Sequence, residues 1–114
     1  MRNQEINSER GREIAGQILS QLGGSRFMAM TGTKPKYFDG YSSMYKLTRN
    51  KVGAQYMKIT LNVMGTYDME FIKLNSRTGE KKIVAEKSWI YNDQLQDIFT
   101  AVTGLYTSLG TMGS

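Results

Sequence analysis

The run Tyr56-Met57-Lys58-Ile59-Thr60-Leu61-Asn62-Val63-Met64-Gly65-Thr66-Tyr67-Asp68-Met69-Glu70-Phe71 decides the fold. Over residues 54–63, Met57, Ile59, Leu61 and Val63 fall on one side and Tyr56, Lys58, Thr60 and Asn62 on the other. A period of two marks a half-buried strand. Residues 67–74 repeat it, with Tyr67, Met69 and Phe71 on one face and Asp68 and Glu70 on the other. A loop through Val63-Met64-Gly65 joins the two, with glycine where a left-handed residue is wanted. The register that follows pairs Met57 with Phe71, Ile59 with Met69 and Leu61 with Tyr67, all on the core face. It also sets Lys58 opposite Glu70, an attractive cross-strand pair. Apolar matching and charge matching agree on this hairpin.

Working outward, Arg77-Thr78-Gly79 is a second turn of the same kind, leading into a strand from Lys81 to Trp89. Its register places Tyr67 near Trp89 and Phe71 near Ala85. Upstream, Arg26 to Thr31 reads as a short strand and Met44 to Arg49 as another. Residues 32–43 between them, with Pro35 and the turn pair Asp39-Gly40, read as a loop or irregular ribbon.

The flanks have helical spacing. Ile14, Ala15, Ile18, Leu19 and Leu22 make one apolar stripe over residues 8–22, with Ser8 or Asn7 as cap and Gly23-Gly24 as terminator. Gly11 in the first turn weakens that end by about 1 kcal/mol relative to alanine. After Trp89, Asn92 caps a second helix with Asp93 at its positive end. Leu95, Ile98, Phe99, Val102 and Tyr106 form its stripe. The expectation is an α+β, two-layer domain over residues 1–109: an N-terminal helix, an antiparallel meander of about five strands and a C-terminal helix. Residues 110–114 read as a flexible tail. The helices cover one sheet face; the other, with Tyr56, Lys58, Thr60 and Glu70, stays open.

Composition narrows the function. Among 114 residues there is no Cys and no His, which excludes Cys-based zinc sites, His-metal sites, Ser-His-Asp triads and histidine proton shuttles. No phosphate-loop motif is present: Gly23-Gly24-Ser25 follows a helix, not a strand. No cofactor is expected. The start, MRNQEINSERGREIAGQ, lacks the apolar region of a secretory signal, and no apolar run approaches the ~20 residues that span a bilayer. A cytoplasmic protein with no membrane contact is expected.

The charge is uneven. Fifteen Lys and Arg against ten Asp and Glu give +5, and residues 26–51 account for all of it: Arg26, Lys34, Lys36, Lys46, Arg49 and Lys51 against Asp39. Tyr37, Phe38, Tyr41 and Tyr45 are interleaved with these bases. Basic groups neutralise phosphates and release counterions, and aromatics offer bases a stacking surface. The segment therefore reads as a contact for DNA or RNA, with Arg26, Lys34, Lys36, Lys46, Arg49 and Lys51 on phosphates and Tyr37 and Tyr41 stacking. A plain solvated surface, with tyrosines packed at the sheet edge, explains the same composition about equally well. An acidic protein surface would satisfy the charge as readily.

A metal-dependent nuclease is a weaker alternative. Asp68 followed by Glu80-Lys81-Lys82 has the letters of such a site, and Asp68 and Glu70 share a strand face. A solvated face with Glu70 paired to Lys58 is the stronger reading, so no metal site and no enzyme are expected. An open sheet face or exposed edge strand could pair two copies into a homodimer.

Three stretches carry a resemblance: Ile18-Leu19-Ser20-Gln21-Leu22-Gly23-Gly24-Ser25-Arg26-Phe27-Met28-Ala29-Met30-Thr31-Gly32; Met57-Lys58-Ile59-Thr60-Leu61-Asn62 with Tyr67-Asp68-Met69-Glu70-Phe71; and Tyr91-Asn92-Asp93-Gln94-Leu95 through Thr103-Gly104-Leu105-Tyr106-Thr107-Ser108-Leu109. Together, over roughly residues 12–109, the chain resembles small accessory proteins of bacteriophages, plasmids and integrative elements. The resemblance implies a mobile-element protein in the host bacterial cytoplasm that binds nucleic acid. The alternative it implies is a phage-encoded, anti-CRISPR-like inhibitor that binds a host nucleic-acid-handling defence complex. It supplies no catalytic residues. The tract from Lys34 to Lys51 departs from the shared pattern, which points to a function particular to this chain.

Overall fold

The computed structural model describes residues 8–105. In order they form α1 (Ser8–Leu22), α2 (Gly24–Thr31), β1 (Lys34–Asp39), β2 (Ser42–Lys46), β3 (Tyr56–Leu61), β4 (Tyr67–Leu74), β5 (Lys81–Ile90), a 3-10 turn (Asn92–Gln94) and α3 (Leu95–Thr103). The strands make one antiparallel sheet in the order β1-β2-β3-β4-β5, so the α+β reading with a central meander holds. The β3–β4 register is the one read from the sequence: Met57 faces Phe71, Lys58 faces Glu70, Ile59 faces Met69 and Leu61 faces Tyr67.

One layer is the sheet and the other is helical. Ile14, Ile18 and Leu22 of α1, Phe27 of α2, and Leu95 and Phe99 of α3 close over Tyr45, Met57, Ile59, Tyr67, Met69, Phe71 and Ile90. The rings of Phe27 and Phe99 meet edge to face, with centroids 5.0 Å apart. Gly11 is buried where α1 crosses the β1–β2 turn. A Cβ there would stand 3.4 Å from the Gly40 carbonyl oxygen and from Phe38 Cδ1, so the helix-weakening glycine allows close packing.

Five expectations are corrected. Arg26–Thr31 is not a strand but most of the helix α2. Six residues are too few to separate a period of two from one of 3.6. Phe27 and Thr31, four apart, are the buried pair, and Gly32 closes the helix in the left-handed region with its N–H on the Met28 carbonyl. Residues 34–39, read as loop or irregular ribbon, form a strand with a bulge between Pro35 and Tyr37, and β2 ends at Lys46 rather than Arg49. All six β1 residues are exposed, so no alternation existed to be read.

In β5, Phe71 faces Ala85 as expected, but Tyr67 faces Ile90 rather than Trp89. Irregularities between Tyr67 and Met69 and between Phe71 and Ile72 each shift the pairing by one residue, so the register read from the sequence holds only from Met69 to Phe71. Finally, Asn92 does not cap α3; it lies within the 3-10 turn, whose entry is fixed by the Tyr91 N–H donating to Gln94 Oε1 at 3.0 Å. Asn7, Tyr106 and the tail 110–114 lie outside the described residues. No helix among the described residues is long and apolar enough to cross a membrane.

Candidate nucleic-acid interface

In an antiparallel meander, β1, β3 and β5 begin at the end of the sheet where β2 and β4 finish. Lys34 opens β1 directly opposite Lys46, which closes β2 and in turn faces Tyr56 at the start of β3. The loop from 47 to 55 leaves from that same end and carries Arg49 and Lys51. It is held on three sides. Thr48 Oγ1 donates to the Thr31 carbonyl at 2.7 Å, and the Lys51 N–H donates to the Thr103 carbonyl at 2.9 Å. Asn50 pins the loop internally, its Nδ2 donating to the Thr48 and Ala54 carbonyls and its Oδ1 accepting the Ala54 N–H. The last carbonyls of α2 and α3, Thr31 and Thr103, thus anchor a basic loop whose charge suits the helix C-termini.

Four of the predicted residues therefore converge: Lys34, Lys46, Arg49 and Lys51, all exposed. The sequence reading missed four more. Lys73 near the end of β4, Arg77 in the β4–β5 turn, and Lys81 and Lys82 at the start of β5 project from the same end and are also exposed. Glu80 is the single acid among them, and among the described residues none of the eight bases forms an ion pair. The segment 54–114 is neutral as a sum, so its charge looked unremarkable. Its acids lie mostly elsewhere: Asp68, Glu70 and Glu86 along the strands, and Asp93 and Asp97 by α3. The Arg77-Thr78-Gly79 turn was the signal that would have brought these bases in.

The remaining predicted residues are not brought into this group. Arg26 lies on α2 in the helical layer. Lys36 is the bulged residue of the edge strand, and Tyr37 faces Met44 on the open sheet face, in the row that continues to Lys58. Tyr41 lies in the β1–β2 turn, at the far end of a six-residue strand that is ~17–20 Å long. Tyr45 belongs to the core. Burial pushes its phenol up to about 12, with the neighbouring Ser43 hydroxyl acting in the opposite sense. Burial also raises Tyr67, offset in part by Gln21.

The acidic trio does not assemble. Asp68 and Glu70 share the open face, but Glu80 lies beyond the other end of β4. Asp68 Oδ1 already accepts from Asn62 Nδ2 at 3.1 Å and from the Trp89 N–H at 3.3 Å. Glu70 stands between Lys58 on one neighbouring strand and Glu86 on the other.

No family model, curated protein or solved structure matches the chain. The chemistry of the cationic end is plain from its composition. Long flexible bases at the ends of four of the five strands, neighbouring strands being ~4.8 Å apart, and in the loops between them suit an extended polyanion.

Proposed function

We propose that this protein binds nucleic acid through the cationic end of its sheet, as a non-enzymatic accessory protein of a mobile element. The observation that carries the reading is the gathering of eight exposed bases around one acid, from three separate stretches of chain. A soluble surface needs only interspersed charge of both signs. Concentrating one sign at one end costs mutual repulsion, and a polyanionic ligand relieves it.

If about six phosphates are engaged on a duplex, the logarithm of affinity falls with the logarithm of salt at a slope near −5. Raising salt from 50 to 200 mM then weakens binding by roughly a thousandfold. Fluorescence anisotropy with single- and double-stranded DNA and RNA measures this. Lys34→Glu with Lys46→Glu abolishes binding, whereas Arg26→Glu, on the helical layer, leaves most of it. Binding that ignores salt, or that survives the double reversal, overturns the proposal. A host protein complex captured through the same lysines after nuclease treatment, with no oligonucleotide binding, would favour the inhibitor reading instead.

A further inference from the structure

Trp89 is the only non-glycine residue among the described residues with a positive φ, at 60°. A bulky residue in the left-handed region is strained, and such strain persists only where surrounding contacts impose it. Here Asp68 Oδ1 holds the Trp89 N–H and also holds Asn62, which begins the β3–β4 turn. One carboxylate oxygen therefore fixes two neighbouring pieces of backbone. From the turn project Val63, 101% exposed, and Met64, 68% exposed; from the end of β5 project Trp89, 64% exposed, and Tyr91, 63% exposed. All four lie at the end of the sheet opposite the cationic end.

Four large apolar or aromatic side chains at this exposure present on the order of 600 Å² per copy, so two copies bury at most about 1,200 Å², the lower end of specific interfaces. The exposed charges nearest Trp89 and Tyr91 in the chain, Lys87 and Asp93, are of opposite sign, so this part of the tip carries no net charge. The sheet edges are poorer places to associate. β1 has Pro35 and a bulge at its edge, and β5 has two irregularities with Lys81 and Lys82, features that discourage edge pairing.

We propose that this tip is a self-association surface, and that its occupant is the same tip of a second copy of the chain across a two-fold axis. Charge decides among arrangements of two copies. Tip to tip places the two cationic ends farthest apart. Head to tail would bury unpaired lysines against an apolar tip, which costs desolvation with no return. Trp89 against the Met64 thioether and aromatic against aromatic are favourable self-complementary contacts.

Trp89 is the chain's only tryptophan, so its fluorescence reports on this surface alone. The test is sedimentation of the purified full chain over roughly 1 μM to about 1 mM, with emission and acrylamide quenching read alongside. The expected result is a monomer–dimer equilibrium in which emission shifts to the blue and quenching falls as dimer forms. High salt leaves the equilibrium unchanged or strengthens it, unlike nucleic-acid binding. Met64→Glu and Trp89→Gly each raise the dissociation constant at least about tenfold, and both fold, because one lies in an exposed turn and the other relieves strain. A monomer throughout, a dimer indifferent to both substitutions, a dimer dissolved by salt, or assemblies that grow beyond two copies would overturn the proposal.

Discussion

The Trp89 backbone N–H donates to Asp68 Oδ1 at 3.3 Å, and the same oxygen accepts from Asn62 Nδ2 at 3.1 Å. An acid that the sequence offered as a metal ligand thus serves as a strut between a turn and a strained strand end. Asp68→Ala removes both bonds and is expected to destabilise the fold by about 1–3 kcal/mol. Trp89→Gly acts in the opposite direction: glycine adopts the positive φ freely, and stability is expected to rise by about 1 kcal/mol. Urea unfolding of the two variants checks the pair, and a Trp89→Gly protein less stable than its parent would contradict the strain argument.

Gly32 links the fold to the cationic loop. Its φ is 72°, and a Cβ there would stand 2.6 Å from Thr48 Cγ2. Gly32→Ala is expected to cost about 2 kcal/mol or more, from backbone strain together with displacement of Thr48. Because Thr48 ties the loop to Thr31, the substitution should also free Arg49 and Lys51 and make the salt slope of nucleic-acid binding shallower by about one to two units. Unfolding and salt titration on the same protein measure both effects.

Tyr45 predicts an alkaline limit. In the unfolded chain its phenol ionises near 10.0, and in the folded protein burial moves that to about 12. Below the unfolded value both states hold the proton and stability is intact. As pH rises from there through the folded value, the unfolded chain releases its proton first, so stability falls, by roughly 2–3 kcal/mol in all. Tyr67, also raised by burial, adds to the same trend. Urea midpoints followed above pH 9 should decline in the parent and decline less in Tyr45→Phe.

Phe99→Ala tests the two-layer core. The ring is fully buried and meets Phe27 edge to face. Its loss is expected to cost about 3–5 kcal/mol, a large part of the stability of a domain this size. Thermal melting measures it.

The hairpin from Tyr56 to Phe71 was legible because both its faces carry information: apolar residues alternate with polar ones, and a charge pair fixes the register. β1 was illegible for the opposite reason. Every residue of Lys34–Asp39 is exposed, so no burial constraint marks its period. Arg26–Thr31 misled because six residues cannot separate the two periods; the buried pair is Phe27 and Thr31, one helical turn apart, and Phe27 packs on Phe99. The site was half legible. Lys34, Lys46, Arg49 and Lys51 were named from a local charge excess, but Lys73, Arg77, Lys81 and Lys82 were masked because residues 54–114 sum to neutral, although five of the six acids there lie away from that end. Tyr41 was included by the converse error: its sequence neighbours are basic, yet a strand's length separates it from Lys34.

The lengthwise separation of charge has a kinetic consequence. With most of the unbalanced positive groups among the described residues at one pole, their charges form a permanent dipole running along the strands. In the field of a long polyanion it turns before touching, so most encounters begin pole-first and few are wasted on the helical flank. Orientation of this kind acts over about a Debye length, ~8–10 Å at ordinary ionic strength.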